Sequence, residues 1–437
     1  MASKRFDAIV VGAGMGGMCA AARLTAAGMK VLVIEKSQHI GGRCSHRQRG
    51  PYTVTTGAIM IPMGEKSAIR EAFTAVGAEM EMVETTGRMR YRLGHGDYDL
   101  PETGGGLLGM LEFAFEGDSN KAGQLFAKFR NALADIPDDR STFRDWLDSH
   151  TDNAAVKGLF QGFCAALMGT NLHEIPAGEF FRFLKYSSRG SRFGLAQHGN
   201  GTLMETLAAA IEARGAEIRR HTTCQAILSR DGRVTGAMLK TKGGPSETVD
   251  AEFVLSNTGP DRTIKLAGGR GQFDQGYLAR LDAWPHEAPI LHVSFVTNEP
   301  LIEGFDGSLV FGNCRNLIYL EIPSIISPEL APPGKFLHTA YGAPRHAAKT
   351  DLKKDLATTI TELEANFPGQ LGNAQFLVKA RHSGQGPGMH RWAGRMMPVS
   401  TPIRNLYNVG DGATPPGTIG TEGAAASARA AFNEILV

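Results

Sequence analysis

The sequence predicts an α/β fold: a nucleotide-binding parallel sheet assembled from three separated stretches, with a second domain formed by two insertions. Three observations predict it. Residues 6–35 read as an apolar run, a glycine-rich turn, an Ala-rich helix and a second apolar run ending in an acid. Near the other end, the strand-like Leu406–Val409 delivers Gly410-Asp411 into a Gly/Pro-rich turn and a last helix. Between them the chain is helical in character from about 66 to 194 and strand-rich from about 266 to 395.

Composition bounds the reading before any motif does. At roughly 150 residues per domain, the 437 residues allow two or three domains. Lys+Arg 46 against Asp+Glu 44 leaves a net charge of +2, so nothing draws this chain to nucleic acid or to an anionic surface. Gly 54 without a triplet period points to tight turns and close backbone approach. Cys19, Cys44, Cys164, Cys224 and Cys314 stand far apart with no C-x-x-C pair. That excludes a disulfide framework and a structural zinc site, so no metal is expected and a reducing cytosol is the expected home. Lys4 and Arg5 before an uncharged stretch give the outline of a secretory leader, but Asp7 and the turn-spaced glycines reject it. No run reaches the ~20 apolar residues of a membrane helix.

Phe6–Val11 is short, apolar and β-branched, as a buried parallel strand should be. Gly12-Ala13-Gly14-Met15-Gly16-Gly17 follows, then good helix formers to Ala27, with Gly28 placed as a C-cap. Lys30–Glu35 is the second strand. In this setting G-x-G-x-x-G is a dinucleotide fingerprint. Gly12 permits the tight turn, Gly14 lets the backbone reach a pyrophosphate, and Gly17 allows close helix–strand packing. The helix N-terminus supplies amides and a positive dipole end. Glu35 stands where a carboxylate accepts both ribose hydroxyls, and its charge disfavours a 2′-phosphate. Lys36 and Ile40-Gly41-Gly42-Arg43 come next, a second close backbone approach with a guanidinium shaped for phosphate; taken alone it reads first as a surface turn with a solvated arginine.

Further on, Gly199-Asn200-Gly201 turns into a helix, Thr202–Arg214. Short strands follow at Glu217–Arg220, Gln225–Ser229, Val234–Lys240 and Phe253–Ser256, with Asp231-Gly232 as a hairpin signal. In the second insertion, strand-like runs occupy Ile290–Val296, Leu317–Glu321, Phe336–Tyr341 and Phe376–Arg381, and Asp351–Asn366 is a helix. At the close, Asp411 can accept from a polyol hydroxyl. The helix after Gly420 offers amides to a carbonyl.

These elements together resemble the FAD-dependent flavoproteins of the phytoene desaturase, retinol saturase and flavin amine oxidase superfamily, closer to the desaturase branch. The resemblance is carried by V-x-G-A-G-x-x-G, E-K-x4-G-G-R and N-L-Y-x-x-G-D, by His198–Leu203 as the central glycine turn, and by Thr223–Ile227 and Ala251–Asn257 as the strands that follow it. The motif blocks cover about a third of the chain. The resemblance implies a glutathione-reductase-like FAD-binding domain from 1–65, 196–265 and 396–437, and an α+β substrate domain from 66–195 and 266–395. It implies noncovalent, extended FAD: Gly12, Ala13, Gly14, Met15, Gly16 and Gly17 at the pyrophosphate, Glu35 and Lys36 at the adenosine ribose, Gly42 and Arg43 at the phosphates, and the backbone at Cys224 facing adenine. Asp411, after Gly410, would hold the ribityl chain or pyrophosphate. Gly57 and Ala58, in 56–62, would run past the isoalloxazine, and Thr418 and Ile419 would lead into the helix aimed at the pyrimidine edge.

Two departures stand out. Thr55 occupies the place of the family's Asp in F-x-x-D-x-G, and Gly420 stands where amine oxidases carry an aromatic before M-E-G-A. The second removes one wall of an amine cage. The expected activity is therefore a dehydrogenase, desaturase or saturase acting on C–C bonds of a hydrophobic or cyclic small molecule. A flavin amine oxidase and a flavin-free escort of the Rab GDP-dissociation-inhibitor type are the alternatives. Oxygen, quinone or NAD(P) would accept the electrons, and a lipophilic substrate would favour peripheral membrane contact. For a proton-transfer residue the candidates are His198, beside the central turn, and His390, which with Trp392 precedes the last strand. His198 reads first as a loop histidine bonded to backbone, whereas His390 and Trp392 read equally as lining of the substrate cavity and as a surface loop with a packed Trp. Leu159–Leu172 and Phe180–Leu184 are candidate tunnel walls, or ordinary core.

Overall fold

The computed structural model describes residues 5–86, 88–101, 106–187, 192–284, 286–346, 348, 350–384 and 386–437; Lys4, which enters the leader reading, lies outside them. The first sheet grows from β1 (Arg5–Val11), whose alternate and then continuous apolar residues are buried on both faces. Helix α1 (Met15–Ala26) covers one face, and β2 (Val31–Ile34) pairs parallel to β1. Far along the chain, β3 (Glu217–Arg219) adds parallel to β2. Then β4 (Thr222–Arg230), β5 (Arg233–Thr241) and β6 (Ser246–Ser256) form an antiparallel meander. Asp231 and Gly232 both take positive φ, +51° and +69°, in its first turn, as a two-residue hairpin requires.

Strand β6 is long enough to serve two partners along one edge. Its first half pairs with β5, with Asp250 opposite Gly236. Its second half pairs parallel with β1 on one side and, at Val254–Ser256, with β7 (Leu406–Asn408) on the other. Helix α2 (Gly420–Ile435) packs against α1 through small residues: Ala424, Ala425, Ala428 and Ala431 share one buried cluster with Cys19–Ala22. This is the Rossmann-like α/β architecture that the glycine fingerprint implies.

The second sheet runs Gln375–His382, Ile290–Thr297, Phe336–Gly342, Leu317–Glu321, Ser308–Phe311, Met89–Leu93, Gly96–Asp99, in that spatial order. The last two strands lie in the stretch read from sequence as helical. They are a correction whose signal was local: Met-Arg-Tyr-Arg-Leu and Gly-Asp-Tyr-Asp alternate with period two about Gly94-His95. Helix Leu352–Asn366 covers the sheet's outer face, where Val293, Phe295, Leu309, Phe311 and Ala340 meet Leu363. A helical layer built on Ser119–Ala134, Ala154–Met168 and Ala177–Ser187 closes the other flank. Its centre is a phenylalanine cluster, Phe143 stacked on Phe180 at 3.5 Å with Phe129, Phe160 and Phe181 around them. Each such pair adds about 0.5–1.5 kcal/mol beyond area burial.

Candidate active site

A cavity of about 2270 Å³ runs from the carboxyl ends of β1 and β2 to the underside of the second sheet. Ligand pockets typically hold about 300–1,000 Å³, so this one has room for a cofactor and a substrate together. At one end it is lined by Gly12, Gly14, Glu35, Arg43, Cys224 and Asp411, at the other by Tyr91, Phe163, Phe183, Ile318, Tyr319 and Tyr341.

The first end is made mainly of backbone. Gly12 has φ +96° and its N–H donates to Ile34 O at 2.8 Å, tying the turn to β2. A Cβ on Gly17 would stand 2.1 Å from Gly12 O, and one on Gly16 2.6 Å from the Gly410 nitrogen. Ala13 O accepts from Gly41 N at 2.7 Å, so the two glycine turns meet backbone to backbone. Gly14 and Gly42 face the cavity between them, and a Cβ on Gly42 would meet nothing but Gly14 Cα, at 3.6 Å. The N-cap of α1 has no side-chain cap and its first turn no acid; the N-cap of α2, Ile419, also lacks a side-chain cap. Two helix N-termini thus present uncapped amides and positive dipole ends to one cavity. Glu35 reaches back to Ala13 N (3.0 Å) and Ser37 N (2.9 Å) while still lining the cavity.

The Arg43 fork binds Asp411 at 2.6 and 2.7 Å, and Asp411 also accepts from His390 N (2.9 Å) and faces His390 Nδ1 (2.8 Å). Three N–H donors, two from the Arg43 fork and one from the His390 backbone, thus hold the Asp411 carboxylate, and His390 Nδ1 lies between Asp411 Oδ1 and Arg43 Nη2 (3.2 Å). Asp411 lines the cavity and aims Arg43, which also donates to Gly388 O at 2.6 Å. Burial pushes the Asp411 carboxyl up, but Arg43 and His390 outweigh it and hold the group well below the usual carboxylate range.

The remaining site residues divide the same way. Met15, Gly16, Lys36, Gly57, Ala58, Gly410 and Ile419 line the cavity, whereas Ala13 and Gly17 support the turn from behind. Cys224 lines it as well, its thiol pushed up to about 12 by burial. Thr418 turns away and bonds Pro415 O at 2.6 Å. His198 is exposed and outside the cavity, which corrects its candidacy as a proton-transfer residue. His390 lines the cavity, but at the cofactor end, where its ring sits between Asp411 and the Gly259 backbone. Trp392 is buried behind the cavity wall and donates to the backbone oxygen of Glu287, which lines it. Of the proposed tunnel walls, Phe160, Phe163, Ala165, Ala166, Leu167, Gly169, Phe183 and Leu184 line the cavity, while Phe180 is core. Gly420 sits at φ +60° with nothing within 4 Å of a notional Cβ, so no wall stands there. Among the described residues one trio, His173, Glu174 and His346, brings metal-ligating atoms within 4.8 Å of one another, outside the cavity.

Two asparagines were missed. Asn257 ends β6 among the glycine turns; with its amide oriented to satisfy both ends, Oδ1 accepts from Gly14 N (3.1 Å) and Nδ2 donates to Val409 O (3.3 Å). Asn200 donates to Ala58 O and Ile59 O, both at 2.8 Å, fixing the 56–62 segment on the central turn. Their only sequence signal was position, one at a strand end and one inside Gly-Asn-Gly.

A glycine cradle between two backbone turns, an uncapped helix N-terminus, an acid at the end of β2 and a second helix N-terminus across the cavity define a dinucleotide-dependent oxidoreductase. The chain belongs to the family of flavin containing amine oxidoreductases, whose model matches residues 15–436. It is 26% identical over 376 residues to a zeta-carotene-forming phytoene desaturase of Myxococcus xanthus, covering 75% of this chain and 70% of that protein. It is 36% identical over 95 residues to the chloroplastic prolycopene isomerase of Daucus carota, a match spanning 21% of this chain and 15% of the isomerase. In fold it is similar to an oxidoreductase from Methanosarcina mazei, with TM-score 0.87, 23% identity, and coverage of 98% of this chain and 99% of that one. The cofactor is FAD, bound noncovalently, and the residues present fit it: the Gly14/Gly42 cradle and α1 suit the pyrophosphate, Glu35 a ribose, and the α2 N-terminus a carbonyl edge. Bound there, FAD supplies a two-electron hydride acceptor or donor. Among the described residues no helix is long and apolar enough to cross a membrane.

Proposed function

We propose that the protein forms or reduces carbon–carbon double bonds in a hydrophobic small molecule, with FAD as the hydride partner. The observation that carries this reading is the far end of the cavity, walled by Met89, Leu107, Met110, Phe163, Leu167 and Phe183. Such a surface binds an apolar skeleton by area alone. Among the described residues, the two buried carboxylates that line the cavity are already engaged by protein donors. Asp411 is taken up by Arg43, and Glu422 accepts from Ser67 Oγ (2.7 Å), Ala68 N (2.7 Å) and Tyr186 OH (2.9 Å). The desaturase relative and the missing wall at Gly420 support the same reading. Five buried, free cysteines support a reducing compartment, and we place the protein in the cytosol.

The test is anaerobic bleaching of the bound flavin. Purified protein should carry FAD near one to one and release it on denaturation. Phytoene in detergent micelles should bleach it, or be reduced when the flavin is first reduced with dithionite. Bleaching by putrescine or cyclohexylamine instead would move the protein to the amine oxidases. A colourless protein that takes up no FAD would sink both and favour the escort role.

A further inference from the structure

The inner face of the second sheet has the wrong polarity for a core. Along Ile290–Thr297, Val293 and Phe295 face the covering helix, which turns His292 and Ser294 inward. Ser294 Oγ meets Thr339 Oγ1 at 3.1 Å and His292 Nε2 at 2.8 Å. In register beside them come Tyr341 opposite Tyr319, and Thr339 opposite Glu321. Tyr319 and Tyr341 line the cavity; Tyr341 OH donates to Gly57 O, holding this face against the segment that lines the cofactor end. The Tyr319 and Tyr341 rings lie 6.3 Å apart. Behind Tyr319, Ser308 Oγ is 3.0 Å from Tyr319 OH and 2.5 Å from Glu321 Oε1. Glu321 is 1% exposed, and its Oε2 is buried without a hydrogen-bond partner.

We propose that Tyr319 is the proton-transfer residue of the chamber, and that Ser308 and Glu321 form the relay behind it. The proposal rests on the C–C redox reading above. Three hydroxyl and carboxyl groups in a row can hold two arrangements. With Glu321 ionised, Tyr319 donates to Ser308 and Ser308 to Glu321, so the chamber sees phenol lone pairs. With Glu321 protonated, it donates to Ser308 and Ser308 to the phenol oxygen, which turns the Tyr319 O–H toward the chamber. Among the described residues, the titratable groups on this face with Glu321 are Tyr319, Tyr341 and His292, whose ring lies 5.0 Å from that of Tyr341 and which burial pushes down to about 3, so none is a cation. Burial pushes the Glu321 carboxyl up to about 8, partly offset by the Ser308 bond. A neutral carboxyl also leaves Oε2 as a carbonyl oxygen, far less costly to bury unpartnered than a carboxylate oxygen.

In desaturation, one C–H bond would break with its hydrogen and electron pair leaving as hydride, the two-electron chemistry that FAD supplies when bound. The adjacent C–H bond breaks with its proton going to Tyr319 Oη, as the phenol proton moves to Ser308 and the Ser308 proton to the Glu321 carboxylate. The electron pair left behind becomes the new π bond. Saturation runs the same protons outward. Near neutral pH the resting relay is loaded, which sets the chamber to deliver a proton; above about pH 8 it is set to accept one.

Two measurements test this on the FAD-loaded protein. The first needs no substrate: infrared difference spectra against pH. A protonated-carboxyl C=O band should fade with a midpoint near pH 8, vanish in Glu321→Gln, and shift in frequency in Tyr319→Phe, which keeps the ring but cuts the chain of hydroxyls. A band that survives Glu321→Gln, or ignores Tyr319→Phe, overturns the relay. The second is the rate of flavin bleaching by phytoene. Tyr319→Phe should slow it about 100-fold, the low end of acid–base assistance, with FAD stoichiometry unchanged. Glu321→Gln should flatten the pH profile, and Glu321→Asp restore it. Unchanged rates and profiles would remove Tyr319 from the reaction. If phytoene does not bleach the wild type, the substrate reading is at fault and the infrared result alone decides the relay.

Discussion

The two ends of the cavity meet their ligands with different parts of the chain. At the cofactor end the contacts are backbone: Gly12, Gly14, Gly42 and two uncapped helix N-termini. At the chamber end they are side chains: apolar walls from the helical layer and a polar inner face from the second sheet. A backbone site depends on what is absent, a Cβ, and tolerates no addition. A side-chain site depends on what is present, and can be reshaped without losing the fold. The difference predicts a steep order of mutational effects.

Gly17→Ala should be the most damaging. Its methyl would stand 2.1 Å from Gly12 O, a backbone atom held by the β1–α1 turn. Overpacking of this kind costs about 1–3 kcal/mol where side chains can yield, and here backbone must move. The expected result is insoluble or FAD-free protein with a lost thermal transition. Gly14→Ala separates fold from site, because its Cβ meets only the Asn257 side chain at 2.7 Å. It should fold with a near-native melting temperature and fail to retain FAD. Equal loss in both variants would break the claim that these glycines serve different ends.

Asp411→Ala comes next. It strands Arg43, whose fork meets no other carboxylate among the described residues but whose side chain is 36% exposed, and should lower stability by about 1–2 kcal/mol with faster FAD loss in gel filtration. The pH dependence has a definite sign. Asp411 titrates below its unfolded value, so its contribution is fully present above about pH 4 and is lost as pH falls through the depressed folded value. Wild type should therefore keep its flavin down to pH 5, and the gap to Asp411→Ala should close only in stronger acid.

That contrast also explains what was legible in the sequence. Gly12, Gly14, Gly17, Glu35 and the Gly410-Asp411 turn were readable because a backbone approach leaves a local, spaced glycine pattern. That Asp411 binds the Arg43 fork was not readable, because Arg43 comes from 368 positions away. Asn257 and Asn200 bridge turns that are distant in sequence, which no spacing rule reveals. On the chamber side, Leu317–Glu321 could be read as a strand, yet which face turned inward depended on helix Leu352–Asn366 covering the other. His390 was sent to the chamber because only the folded path of its loop shows it beside Asp411.

Two chamber changes should leave FAD in place. Ala166→Trp projects an indole from the wall helix into the cavity and should slow bleaching by a bulky apolar substrate at least tenfold, without altering the flavin ratio. Glu321→Gln probes stability. A carboxyl whose folded value is raised to about 8 contributes fully below its unfolded value near 4.3, and that contribution is lost as pH rises through 8. The melting temperature of Glu321→Gln relative to wild type should therefore climb between pH 5 and pH 9, by the equivalent of a few kcal/mol. A constant difference would show that Glu321 is ionised at neutral pH.

The smallest effect belongs to His198. Its place before the central glycine turn made it a candidate, but the turn's work is done by its neighbours: Asn200 holds Ala58 and Ile59, and His46 Nδ1 accepts from Gly201 N at 3.2 Å. His198 itself points to solvent. His198→Ala should leave FAD stoichiometry, bleaching rate and pH profile unchanged, with stability within about 0.5 kcal/mol, as for surface substitutions generally. His46→Ala, one turn away in space, should destabilise by about 1 kcal/mol or more, because it removes an acceptor from a partly buried amide. A slower flavin reaction in His198→Ala would mean that the loop reaches the chamber during turnover, and that a side chain, not only backbone, acts at the cofactor end.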